Sequence, residues 1–176
     1  MCIRDSTLAE IRSKGKLSCG VGGQIRGFSH RQGEDSSASS DYSGLEALLC
    51  KAIAISVFGH WQDRISWFET DIDSRFESLR NGVVDVLLRN TTWTSEREAM
   101  LGVSFGPVYY HDGQKILTKV EYSIDSHIGL ADKSICVMPS GSTSIVNIDS
   151  YLERNGVSNY ESVSYTHLTL PTICSV

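Results

Sequence analysis

The sequence predicts an α/β fold built around a parallel sheet. Segments with helical periodicity alternate with short apolar runs, the connections between them are brief, and Val83 to Leu88 is almost continuously apolar, as expected of a strand covered on both faces. Thr7-Leu8-Ala9-Glu10 has capping-box spacing and predicts a short helix to Lys14, ended by Gly15. Lys16 to Val21 follows as a strand. Gly22, Gly23 and Gly27 then mark an irregular turn in which the backbone is unusually free. Gln32 to Ser40 has no apolar residue larger than Ala and reads as an exposed loop.

Ser43-Gly44-Leu45-Glu46 is a second capping box. Leu45, Leu48, Leu49, Ala52, Ile53 and Val57 recur at three- and four-residue steps behind it, predicting an amphipathic helix that ends at Gly59. Arg64 to Phe68 reads as a strand, and Asp73 caps a helix bearing Phe76 and Leu79 that stops at Asn81-Gly82. Ser95 and Glu98 form a third capping box. After the turn at Tyr109-Tyr110-His111-Asp112-Gly113 the pattern restarts, with strands at Gln114–Val120 and Ser134–Val137 and a helix over about Ser142–Asn155. This second set is too short to bury its own core and reads as the start of a second domain.

The two termini read differently. One codon choice for Met1-Cys2-Ile3-Arg4-Asp5-Ser6 is ATG TGT ATA AGA GAC AGn; the reverse complement of its first 17 bases, CT GTC TCT TAT ACA CAT, encodes Val-Ser-Tyr-Thr-His behind a codon ending in CT, matching residues 163–167 behind Ser162. That DNA word resembles a transposon mosaic end used in library preparation, and Leu168 to Thr172 fits the adapter behind it. Residues 1–6 and 162–176 are therefore expected to be translated adapter, leaving residues 7–110 as a first domain and residues 111–161 as the start of a second. A natural terminal strand at Tyr165–Leu170 is the alternative.

Composition narrows the function classes. The 176 residues carry 16 Lys and Arg against 21 Asp and Glu, a formal charge of -5, so the basic excess of a nucleic-acid binder is missing. No run approaches the ~18–20 apolar residues of a bilayer span. Gly20-Val21-Gly22-Gly23 lacks the third glycine of a dinucleotide fingerprint, since position 25 is Ile, and there is no P-loop lysine. Cys19, Cys50 and Cys136 are far apart with no CxxC pair; Cys50 and Cys136 read as small core residues. His30, His60, His111 and His127 show no metal spacing, and no metal or cofactor is expected.

Sites in parallel sheets lie at the carboxyl ends of strands. The stretch Arg89-Asn90-Thr91-Thr92-Trp93-Thr94-Ser95-Glu96-Arg97 leaves a strand and enters a helix there. Arg97 falls in the first helical turn, where a cation opposes the helix dipole, and a bound anion would compensate. A guanidinium suits a carboxylate because two parallel N–H donors match two oxygens, and the hydroxyls of Thr92 and Thr94 could orient the same group. Ser140-Gly141-Ser142-Thr143-Ser144 repeats the strand, turn and helix start in the second set. The bland alternatives are an exposed Arg97 paired with Glu96 or Glu98, and an ordinary capped helix.

The chain resembles the periplasmic solute-binding proteins of polar amino-acid ABC transporters (extracellular solute-binding protein family 3), particularly their general amino-acid branch. The resemblance rests on Gly15-Lys16-Leu17, Gly27-Phe28-Ser29, Ser43-Gly44-Leu45 leading to Cys50-Lys51-Ala52-Ile53-Ala54, and Arg75-Phe76 with Gly82-Val83-Val84-Asp85-Val86-Leu87. It continues through Arg89-Asn90-Thr91-Thr92-Trp93-Thr94, Tyr109-Tyr110-His111-Asp112-Gly113-Gln114 and Gly141-Ser142-Thr143. It implies a periplasmic binding protein-like type II fold, two-lobed and here truncated, which closes on an amino acid by hinge motion and delivers it to membrane permease subunits. By position, Arg97 with Thr92 would hold the ligand's α-carboxylate, and the Asn90 carbonyl would accept from its ammonium. Ser142 and Thr143 would add second-lobe contacts, while Phe28 and Gly22 would wall the pocket. A periplasmic location, a full-length monomer and no catalysis are the corresponding expectations. Gly22 and Leu48 stand where relatives often carry Asn and Asp. An enzyme on the same scaffold, similar to cyclohexadienyl dehydratase, is the alternative; it would need an isolated pocket acid to protonate a leaving hydroxyl. A receptor's sensory domain is a third reading.

Overall fold

The computed structural model describes residues 7–33, 41–138, 142–164 and 173–175. The chain divides into two compact units, residues 1–106 and 107–176.

In the first unit, α1 (Thr7–Lys14) leads into β1 (Leu17–Val21), then β2 (Gln24–Ile25), β3 (Ser29–Arg31), β4 (Tyr42–Ser43) and α2 (Leu45–Phe58). After these come β5 (Ile65–Glu69), α3 (Arg75–Arg80), β6 (Val86–Leu87) and α4 (Ser95–Leu101). The main sheet has the order β5-β1-β6 and is parallel throughout, with Cys19 opposite Trp67 on one side and Val86 on the other. Leu17, Cys19 and Val21 of the central strand are fully buried, and burial of the Leu17 and Val21 side chains stabilises by roughly 1.5–3 kcal/mol each. The strand expected over Val83–Leu88 shrinks to Val86–Leu87 at the sheet edge, and Val83 is half exposed.

Three expectations change here. Between β1 and α2 the chain does not form a simple irregular turn. It folds into a small antiparallel sheet, β2-β3-β4, with Gln24 opposite His30 and His30 opposite Ser43. These strands are too short and polar to show alternation in sequence. Second, α2 buries Glu46, Ala47, Cys50 and Ala54, while Leu48 is 62% exposed. The helix is apolar all round, so periodicity could not choose the face; the small residues let it approach β1 closely. Third, the capping box at Ser43 does not form. Gly44 is the N-cap, without a side-chain cap bond, and the Gly27 and Phe28 carbonyls accept from the Leu45 and Glu46 amides at 2.9 Å each. A Cβ at Gly44 would meet the Phe28 carbonyl carbon and oxygen, and its φ of 110° suits only glycine.

Cys19 and Cys50 form a disulfide joining β1 to α2, with Cα atoms 6.4 Å apart, within the usual bridged range. Cys50 is buried, as its place on the apolar side of the helix suggests, and the spacing along the chain does not show its pairing with Cys19. Cys136 is a buried free thiol.

The second unit holds β7 (Ile116–Leu117), β8 (Ser134–Val137), α5 (Ser144–Arg154), β9 (Glu161–Ser164) and β10 (Ile173–Ser175). Its sheet order is β7-β10-β8-β9, with β8 parallel to both neighbours. Leu130, Ile135, Val137, Ile148, Leu152 and Val157 form its core. Strands β9 and β10 draw on the tract that the sequence reading set aside as adapter. The alternative strand at Tyr165–Leu170 lies outside the described residues, as do Ser140 and Gly141 of the second small polar turn.

Candidate functional site

In the first unit the carboxyl ends of β1, β5 and β6 converge on one group of buried charges. The chain leaves β1 at Gly22, leaves β5 at Thr70 and leaves β6 toward Arg89. Thr70 is tied to β1 by its amide donating to the Val21 carbonyl at 2.9 Å. Arg89 is buried, and its Nη1 donates to the Thr70 carbonyl at 2.6 Å. Its Nε lies 3.5 Å from Asn90 Oδ1 and would be 3.7 Å from a Cβ at Gly22. Gly22 in turn donates its amide to Ser29 Oγ at 3.2 Å, and that hydroxyl donates to Glu46 Oε2 at 2.6 Å. Glu46, which the sequence offered as a capping acid, is fully buried and serves this network instead.

Arg97 sits at the mouth of α4. Its amide donates to Thr94 Oγ1 at 3.2 Å, so Thr94 is the N-cap rather than Ser95, and the capping box expected at Ser95 and Glu98 does not form. Glu98 accepts from Trp93 Nε1 at 3.1 Å and from the Phe105 amide at 3.4 Å. The Arg97 guanidinium folds back so that Nη1 donates to the Thr92 carbonyl at 2.7 Å. Arg97 and Thr92 are therefore in contact through the Thr92 backbone oxygen.

Three guanidiniums share this end of the sheet, and burial is the largest influence on each. It pushes Arg75 down to about 10, with Arg89 and Arg97 pushing the same way and Asp73 opposing. It also lowers Arg89, against the attraction of Glu46 and Asp71, and lowers Arg97, against Glu96. A concentration of positive charge removed from water favours an incoming anion, whose presence restores part of the solvation that burial removes. The sequence reading named Arg97 as the site cation and missed Arg75 and Arg89. The clue for Arg89 was its place directly after an apolar strand.

Phe28 is half-buried between β2 and β3 and fixes α2 through its carbonyl. In the second unit, Ser142 Oγ lies 3.1 Å from Ser144 Oγ and accepts from the Ser144 amide at 3.3 Å, while Thr143 is the N-cap of α5 without a side-chain cap bond. Among the described residues no three His, Cys, Asp or Glu side chains gather as a metal site. No described helix is long and apolar enough to cross a membrane.

Comparison with known proteins gives this geometry a family. Residues 17–157 match the bacterial extracellular solute-binding proteins, family 3. The general L-amino acid-binding periplasmic protein AapJ of Rhizobium johnstonii is 35% identical over 163 residues, covering 93% of this chain and 46% of AapJ. The glutamate/glutamine/aspartate/asparagine-binding protein BztA of Rhodobacter capsulatus is 32% identical, over 86% of this chain and 43% of its own length. The chain thus spans about half the length of the curated relatives it matches. Among solved structures, a periplasmic binding protein from Brucella ovis with glutathione bound is 32% identical with a TM-score of 0.80, covering 93% of this chain and 49% of that one. The ancestral amino acid-binding protein AncCDT-1, a precursor of cyclohexadienyl dehydratase, is 26% identical with a TM-score of 0.74, over 93% of this chain and 67% of that one. By its match over residues 17–157 and by its α/β fold of the type II periplasmic binding protein kind, the chain belongs to the bacterial extracellular solute-binding proteins, family 3.

Proposed function

We propose that this chain is part of the substrate-binding component of an ABC transporter, which captures an amino acid in the periplasm and hands it to membrane permease subunits. The observation that carries the reading is the Arg75, Arg89 and Arg97 cluster at the strand ends, with Arg97 held against the Thr92 carbonyl. Arg97 receives the ligand's α-carboxylate, and the Asn90 carbonyl accepts from the ammonium. Ser142 and Thr143 add second-lobe contacts, and Phe28 and Gly22 wall the pocket. The lobes are residues 7–110 and 111–161, and the complete protein acts as a monomer without catalysis. Relatives named for general amino acids, and for glutamate, glutamine, aspartate and asparagine, support the ligand class. The buried Cys19–Cys50 disulfide supports an oxidising compartment such as the periplasm.

The test is calorimetric titration of the complete protein carrying these residues against an amino-acid panel. Glutathione belongs in the panel because the Brucella ovis relative holds it. Saturable binding of an α-amino acid supports the reading, and no binding across the panel removes it. The dehydratase reading draws on AncCDT-1, yet that protein is itself named as amino acid-binding. Turnover of a cyclohexadienyl acid to an aromatic product, followed by ultraviolet absorbance, would favour the enzyme.

A further inference from the structure

The Arg97 guanidinium lies over an aromatic ring. Its Cζ is 5.4 Å from the Phe76 ring centroid, and the Cζ of buried Arg75 is 5.0 Å from the same centroid. Phe76 is half-buried on α3, whereas Arg97 stands on α4, so the contact joins two elements distant in sequence. An aromatic face carries negative quadrupole charge and attracts a cation within about 6 Å. The ring face and the Thr92 carbonyl at 2.7 Å both contact the guanidinium and limit the directions it can take.

We infer that Phe76 is a positioning residue for ligand capture: its ring fixes the Arg97 guanidinium, beside that of Arg75, in the orientation that receives the amino acid's carboxylate. The inference rests on the assignment of Arg97 as the carboxylate receptor. Arginine has a long side chain with many rotamers, and ordering it only when ligand arrives would weaken binding. The ring removes that loss beforehand.

The experiment uses the complete protein with Phe76→Leu, which keeps apolar bulk and removes the quadrupole, and Phe76→Tyr, which keeps both. Melting temperature controls for packing. The expected result is amino-acid affinity about fivefold weaker in Phe76→Leu and within about twofold of wild type in Phe76→Tyr, at similar melting temperatures. Without ligand, the Arg97 Nε–Hε resonance should carry a ring-current shift in wild type and Phe76→Tyr that is lost in Phe76→Leu. Unchanged affinity in Phe76→Leu, or equal weakening in both variants, overturns the inference. A wild-type protein that binds no amino acid overturns the functional reading and the ligand role of Phe76 with it; the resonance, measured without ligand, then still reports whether the ring holds Arg97.

Discussion

The Glu69 carboxylate fills the space that a side chain at position 23 would enter. Gly23 has φ 78°, and a Cβ there would run into the Glu69 side chain. Glu69 Oε1 accepts from Arg31 Nε at 2.8 Å and from the Tyr42 hydroxyl at 2.9 Å, tying the small β2-β3-β4 sheet to the end of β5. Gly23→Ala should therefore combine left-handed backbone strain with displacement of Glu69, at about 1–3 kcal/mol of stability. Arg31→Met should cost less than this, because the Arg31–Glu69 pair is one third exposed on both sides and solvent screens it. Chemical denaturation of both variants checks the order; equal stability of Gly23→Ala and wild type contradicts the steric reading.

The Cys19–Cys50 bridge closes a separation of 31 residues between β1 and α2. Loop-closure entropy puts its contribution at about 3–4 kcal/mol. Cys50→Ser should lower the unfolding free energy by about that amount. Reductant should lower the wild-type melting temperature while leaving Cys50→Ser unmoved. A reductant effect of the same size in both proteins would place its cause elsewhere.

Glu46 separates two interpretations of one residue. As a capping acid on a helix surface it would contribute about 0.5–1.5 kcal/mol. As a buried carboxylate that accepts from Ser29 Oγ at 2.6 Å and attracts Arg89, its loss leaves a buried cation and hydroxyl short of a partner. Glu46→Ala should then cost about 3–5 kcal/mol in denaturant unfolding. A loss near 1 kcal/mol would restore the capping role.

Tyr160 predicts a pH dependence for the second unit. Burial and the hydrogen bond to Asp149 Oδ1 at 2.8 Å push its hydroxyl up to about 12. The folded protein therefore keeps this proton more tightly than the unfolded chain does. The stabilisation is fully present below about pH 10 and is lost as pH rises toward about 12. Tyrosinate absorbance should show this group titrating late, and Tyr160→Phe should remove part of the alkaline destabilisation. An identical alkaline profile in the variant contradicts the assignment.

The alternation of helix and strand was legible because long apolar periods and glycine stops mark α2, β1, β5 and α5 directly. Local spacing failed where a tertiary partner outcompeted it. Ser43 and Glu46 have capping-box spacing, but the Phe28 carbonyl and the Ser29 hydroxyl take over those roles from a strand 17 residues away. The face of α2 was not legible either, since Leu48 and Ala47 are equally plausible by hydropathy and only close packing on β1 selects the smaller. At the candidate site, Arg97 and Thr92 stand out by their place between a strand and a helix, whereas the burial of Arg75 and Arg89 depends on strand ends meeting, which spacing along the chain does not encode.

The role of Arg97 is tested most directly by titrating the complete protein and its Arg97→Ala variant with the best amino acid of the panel. Loss of a charged two-donor contact should weaken binding by about 2–5 kcal/mol, at least thirtyfold, with the melting temperature of the ligand-free protein little changed. Undiminished affinity in Arg97→Ala would contradict carboxylate capture by this guanidinium.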